Sequence, residues 1–293
     1  MNLLRAGLAA LTFVALATCT TAPSRPQAAA PAVSADQTTP PAHDNLNATL
    51  WMQSAAEYKA TVRGIYAAAR HSLDRALDDP NWNALPAGEF QTGFEAKPPA
   101  IVVDADETMI DNSAFQARAV IEDAGYSRER WLEWVNARKA AALPGAVEFA
   151  DYVHRRGVTI FFITNRDAPD EVEATVDNLR QLGFPIAADG SNVLLRGDAR
   201  APDRDKGARR RLIDRSYRVL LLLGDNLSDF LDGANADVAT RERLMAPYEK
   251  WWGERWFMLP NPSYGSWPNA VLRGCAKDTN PRACLHSALH YKY

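Results

Sequence analysis

Four aspartates stand in two close pairs: Asp104 with Asp106, and far downstream Asp225 with Asp229. Between the pairs lie Thr164-Asn165 and Lys206. Four carboxylates gathered in one cleft repel one another unless a cation sits among them, and hard oxygen donors that leave room for waters suit Mg²⁺. Thr164 and the backbone N–H groups after it could grip phosphoryl oxygens, and Lys206 could neutralise another. Together these groups are the parts of a phosphoryl-transfer site. Each part alone has a plainer meaning. Acidic pairs in loops commonly cap helices or face water. Lys206 sits in Arg204-Asp205-Lys206, with Arg209, Arg210 and Arg211 beside it, which by itself reads as a solvated charged face. The weight rests on the joint order D-x-D-x-T, Thr-Asn, Lys and G-D-N-x-x-D.

That order has meaning only if the chain brings the groups together. Three short apolar runs, 100–104, 158–163 and 219–223, read as buried strands, and the acidic pairs and Thr164 stand at their carboxyl ends. Helical segments at about 145–156 and 205–216 precede the second and third. Val193–Arg196 and Trp256–Leu259 are predicted as further strands. Buried runs alternating with helices imply an α/β fold, a parallel sheet with helices on both faces. Such sheets bind ligands beyond the carboxyl ends of their strands. Before the sheet, apolar residues from Leu50 to Leu77 recur at three- and four-residue steps, predicting one amphipathic helix that Pro80 ends.

The chain has 293 residues, 47% hydrophobic and 24% charged, with a formal net charge of −3. No basic excess exists to neutralise a phosphate backbone, so a nucleic-acid polymer is not an expected partner. The apolar run after Arg5 is shorter than a membrane span and reads as a signal peptide over 1–18, followed by Cys19. Leu16-Ala17-Thr18-Cys19 resembles a bacterial lipoprotein signal in which Cys19 carries the lipid; an ordinary secretory signal with an incidental Cys is the alternative. Thr20, not Asp, then favours passage to the outer membrane of a Gram-negative cell. Residues 19–43, rich in Thr, Ala, Ser and Pro, read as a disordered tether, with the folded domain spanning 44–293. Cys275 and Cys284 remain as a pair that an oxidising compartment could join, free thiols being the alternative.

The motifs resemble those of the haloacid dehalogenase (HAD) superfamily of phosphatases. More narrowly, the chain is similar to the bacterial lipoprotein e family of class C acid phosphatases and 5′-nucleotidases. The narrower likeness rests on Asp104-Ala-Asp-Glu-Thr-Met-Ile-Asp-Asn-Ser113, Pro144–Phe149, Thr164-Asn-Arg166, Gly224-Asp-Asn-Leu-Ser-Asp-Phe230 and Leu259-Pro-Asn-Pro-Ser-Tyr-Gly-Ser-Trp267. It implies a HAD-like sheet with a small helical cap, from about 44–95 and 110–143. It implies Asp104 as nucleophile, forming an aspartyl-phosphate, and Asp106 as acid and then base. Mg²⁺ would be held by Asp104, the Asp106 backbone carbonyl and Asp225, with Asp229 acting through water or orienting Lys206. Aromatic rings would sandwich a nucleobase; Trp131 and Tyr264 match best, with Phe115 and Asn165 also on the substrate side.

The expected activity is extracytoplasmic hydrolysis of phosphate monoesters, 5′-nucleotides among them. A binding lipoprotein on the same fold, taking haem or a nucleotide without turnover, is the alternative. Oligomeric state is left open. His286 and His290 stand four apart but lack the Glu and third ligand of a zinc site, and read as a surface pair.

Overall fold

The computed structural model describes residues 42–290. The predicted signal peptide, Cys19 and all but the last two residues of the predicted tether lie outside them. No helix among the described residues is long and apolar enough to cross a membrane.

Two helices, α1 (Leu46–Ser54) and α2 (Ala56–Asp78), stand where one was expected. Ala55 adopts extended dihedrals (φ −72°, ψ 129°) and turns the chain between them. The predicted stripe holds in α2 but not in α1, where Leu50 is exposed and Thr49 and Met52 are buried instead. The two halves serve different neighbours: α1 lies against α3 (Ser113–Ile121), whereas α2 packs on the sheet and on α5 (Ala146–Arg155). Residues 44–95 therefore do not act as one cap element, because α2 is part of the main core. Tyr58, Val62, Tyr66, Ala69 and Leu73 share that core with Ile101, Val103 and Leu223.

The sheet comprises β1 (Pro99–Val103), β4 (Thr159–Asp167), β5 (Val193–Arg196), β6 (Arg218–Gly224) and β7 (Trp256–Met258). All pairings are parallel, in the order β5-β4-β1-β6-β7. Its strands are buried on both faces, so successive side chains enter different cores. Ile101, Val103, Ile160, Phe162, Val193 and Leu195 point to α2 and α5, as does Leu179 of α6 (Val172–Gln181) from that layer. Val102, Ile163, Leu194, Val219 and Leu222 point to the opposite face, against Ile213 of α7 (Gly207–Asp214), Phe230 and Trp256.

Outside the sheet, the ribbon of β2 (Ile110–Asp111) and β3 (Ala141–Ala142) brackets α3 and α4 (Arg128–Ala137), which with α1 form the structure above the strand ends. After β6 come α8 (Val238–Met245), α9 (Trp267–Leu272) and α10 (Pro281–Ser287). A disulfide joins Cys275 to Cys284, bonding α10 to the end of α9. His286 and His290 are both exposed.

Candidate active site

Register brings the motifs together. Val103 pairs with Phe162 on one side and Leu223 on the other. The chain therefore leaves β1 at Asp104 level with the ends that carry Thr164 and Asp225. Gly224 closes the approach from below: a Cβ there would lie 2.4 Å from the Asp229 Cβ. Only the bare backbone lets Asp229 fold back to accept from the Asn226 N–H at 2.8 Å.

Asp104, Asp225 and Asp229 each place a carboxylate oxygen within 4.8 Å of the others. Lys206, buried at the start of α7, pairs with Asp104 and, at 2.8 Å, with Asp229. Three carboxylates thus face one ammonium. Burial, then the neighbouring carboxylates, push Asp225 well above its ordinary value. Burial also drives Asp104 up to about 7 against the pull of Lys206. A hard divalent cation fits this oxygen-only, under-neutralised donor set. Asp225 is also tethered by Asn261, whose Nδ2 donates to it at 2.8 Å.

Asp106 turns away from that cluster and contributes no carboxylate oxygen to it, leaving only its backbone carbonyl for the metal role expected of it. Its carboxylate accepts from Arg166 Nη2 at 2.7 Å, Asn112 Nδ2 at 2.8 Å and Thr164 Oγ1 at 3.3 Å. Burial alone would raise this acid, but the Arg166 charge and these hydrogen bonds outweigh it and hold Asp106 below the usual carboxylate range.

Above these groups opens a cavity of about 640 Å³. Phe115, Tyr126, Trp131, Tyr264, Gly265 and Asn269 line it, and Asp104, Asn165 and Asp225 lie among its walls. Trp131 is fixed in place: its Nε1 donates to the buried Glu171 at 3.0 Å, its ring meets Phe115 edge-on, and Arg166 lies 5.3 Å from its centroid. Asn261 Oδ1 accepts from the Ser263 and Tyr264 N–H groups, so one side chain links Asp225 to the Tyr264 loop.

Residues 11–267 match the sequence model of the HAD superfamily, subfamily IIIB, acid phosphatases. The chain belongs to that family. It is similar to the class C acid phosphatase of Bacillus anthracis, at 33% identity over 85% of this chain and 98% of that one, with a TM-score of 0.72. The same enzyme with tungstate bound gives 0.73. It is also similar to the stem 28 kDa and 31 kDa glycoproteins of Glycine max, at 25% and 26% identity over 56% and 53% of this chain. The chain spans 58% and 57% of the length of those relatives.

The fold and family expected from the sequence are those found. Within this acid phosphatase fold, Asp104, Asp106, Asn165, Asp225 and Asp229 line one cleft together with Phe115, Trp131 and Tyr264, while Thr164 and Lys206 are buried behind it, bonded to Asp106 and Asp104. Trp267, quoted with the Tyr264 loop, begins α9 and is not among the cavity-lining residues. One local expectation is corrected. The basic stretch at 204–211 is a solvated face only in part: Arg204, Asp205 and Arg211 are exposed, whereas Lys206, Arg209 and Arg210 are buried, and Arg210 forms a double hydrogen bond with Glu89 at 2.6 Å. Arg166, Asn112 and Asn261 received no role from the sequence although all three lie in the quoted motifs. Their one signal was that placement.

Proposed function

We propose that this protein is an extracytoplasmic, membrane-tethered, Mg²⁺-dependent acid phosphatase that hydrolyses phosphate monoesters, 5′-nucleotides among them, through an aspartyl-phosphate. The observation that carries the reading is the meeting of Asp104, Asp106, Thr164, Lys206, Asp225 and Asp229 at neighbouring strand ends under one cleft.

Asp104, at the centre of that group, is the nucleophile. Its carboxylate oxygen bonds to phosphorus as the ester P–O bond breaks, and the leaving oxygen takes a proton from Asp106. Asp106 then accepts a proton from the water that attacks the aspartyl-phosphate, releasing inorganic phosphate and restoring the Asp104 carboxylate. Lys206 neutralises charge beside Asp104, while Thr164 and Asn165 border the phosphoryl group. Asp104, the Asp106 backbone carbonyl and Asp225 would hold Mg²⁺, with Asp229 holding Lys206. When bound, the ion supplies positive charge to the equatorial oxygens. Because Asp106 must be protonated in the first step, activity is greatest at acid pH.

A cleft of about 640 Å³ with ring-bearing walls suits a nucleoside monophosphate. The class C acid phosphatase of Bacillus anthracis has been solved with tungstate bound, which supports a tetrahedral oxyanion as ligand here. The leader read over 1–18, Cys19 and the Cys275–Cys284 disulfide support an oxidising, extracytoplasmic location.

The test is phosphate release at pH 5–7 from 5′-nucleotides and simple phosphomonoesters, with Mg²⁺ and with EDTA, beside Asp104→Asn. Metal-dependent release that disappears in Asp104→Asn is expected. Folded, Mg²⁺-loaded wild type that releases nothing from any substrate would replace the enzyme with the binding-lipoprotein reading.

A further inference from the structure

Arg209 lies on α7 one turn beyond Lys206 and is completely buried. Among the described residues it has no carboxylate partner. Its Nη1 donates to the Thr164 carbonyl at 2.6 Å and more weakly to the Leu194 carbonyl at 3.5 Å. Its Nη2 donates to Asn165 Oδ1 at 3.0 Å and to the Arg204 carbonyl at 3.2 Å, while Nε has no partner. Burial pushes the guanidinium down to about 10, so it remains a cation at neutral pH, and Asp104 is the foremost charge opposing that fall. A buried cation without an ion-pair partner is costly, and chains seldom keep one unless it has work to do.

The chemistry of its partners shows what that work is. A guanidinium has only donors, so the Asn165 carboxamide must turn its oxygen toward Arg209. Its NH₂ group is then turned the other way. Asn165 is exposed and lines the cleft beside Asp104, and its Nδ2 has no hydrogen bond among the described residues. The same guanidinium holds the Thr164 carbonyl, which fixes the course of the loop that carries both residues.

We propose that Arg209 is a positioning residue of the phosphoryl pocket, fixing the Asn165 carboxamide so that its NH₂ group faces the phosphoryl oxygens of the bound ester. This rests on Thr164-Asn165 being the phosphoryl-binding loop. Arg209 acts from behind that loop and touches no substrate. A merely structural Arg209 would tie α7 to β4 and leave phosphate affinity alone.

The probe is inorganic phosphate, its affinity for the Mg²⁺-loaded protein measured by calorimetry and by competitive inhibition. Asn165→Ala loses one hydrogen bond to an anion and should weaken phosphate roughly tenfold. Asn165→Asp keeps an acceptor for Arg209 but turns a carboxylate oxygen to the cleft, and should weaken phosphate well beyond Asn165→Ala. Arg209→Met, with native circular dichroism, should also weaken phosphate roughly tenfold and raise KM more than it lowers kcat. In the Asn165→Ala background the same change should cost roughly threefold or less. A folded Arg209→Met with wild-type phosphate affinity, or an undiminished loss in the Asn165→Ala background, overturns the proposal. Should Arg209→Met not fold, Asn165→Asp decides: binding equal to that of Asn165→Ala overturns it. Wild type that hydrolyses esters but binds no phosphate overturns this proposal alone; wild type that does neither removes the phosphatase reading beneath it as well.

Discussion

The Arg166 guanidinium grips the Asp106 carboxylate with two nitrogens, Nη2 at 2.7 Å from Oδ1 and Nε at 3.1 Å from both oxygens. A forked donor fixes both the position and the charge of the acid it holds. Arg166→Gln leaves Asp106 buried without its cation, so its pKa rises. The rate that depends on protonated Asp106 then falls off at higher pH than in wild type, while kcat drops roughly 100-fold through lost placement. Arg166→Lys keeps the charge and should leave the alkaline limb near the wild-type position. Profiles of kcat/KM against pH decide; a Gln variant with an unmoved limb would refute the coupling.

Among the described residues Lys206 is the one ammonium paired with Asp104 and Asp229. Lys206→Met leaves two buried carboxylates facing each other, and breaking a buried pair in this way costs about 3–5 kcal/mol. Thermal unfolding of the metal-free variant should show that loss, with Mg²⁺ recovering more of it than it adds to wild type. Equal Mg²⁺ effects in the two proteins would contradict the shared neutralisation.

The acidic cluster also sets how stability depends on pH. Burial raises Asp104 to about 7 and Asp225 well above its ordinary value. In the metal-free protein the folded state therefore holds protons that the unfolded state releases. The contribution of these groups is most favourable below the ordinary carboxylate range and declines as pH rises through their folded values. The gain in Tm on adding Mg²⁺ should accordingly be larger at pH 8 than at pH 5. A gain that is equal at both, or larger at pH 5, would contradict the assignment of these groups to a cation.

Gly224 has no room for a side chain because Asp229 occupies the space. Gly224→Ala must displace backbone, with a cost of about 1–3 kcal/mol by analogy with overpacked cores. It should also misplace Asp229 and with it Lys206. Mg²⁺ affinity measured beside Tm separates the two: a stable variant with wild-type Mg²⁺ affinity would mean that the close approach is not needed.

The sheet was legible because its strands are buried on both faces and read as unbroken apolar runs, the three central ones leading within two residues to a polar group. Asp104, Thr164 and Asp225 could be placed from that alone. Lys206 could not, because its surroundings in sequence are charged; only the order of motifs singled it out. Arg209 and Arg210 stayed hidden for the same reason, since nothing local distinguishes an arginine that faces water from one whose partners, Asn165 or Glu89, are supplied by remote segments. The break at Ala55 was missed because Leu50 falls on the three- and four-residue spacing of α2, although in α1 it is Thr49 and Met52 that are buried. Arg166 and Asn112 lay in plain view, but their grip on Asp106 depends on side-chain direction, which spacing does not encode.

The bond between Cys275 and Cys284 fastens α10 to α9, and α9 carries Asn269 into the cleft directly after the Tyr264 loop. None of the groups assigned to phosphorus chemistry depends on that bond, since they stand on strand ends and at the start of α7. On the function proposed above, protein matured under reducing conditions should thus keep its turnover of small esters and discriminate less among bulky leaving groups. The history of a preparation would be recorded in its selectivity.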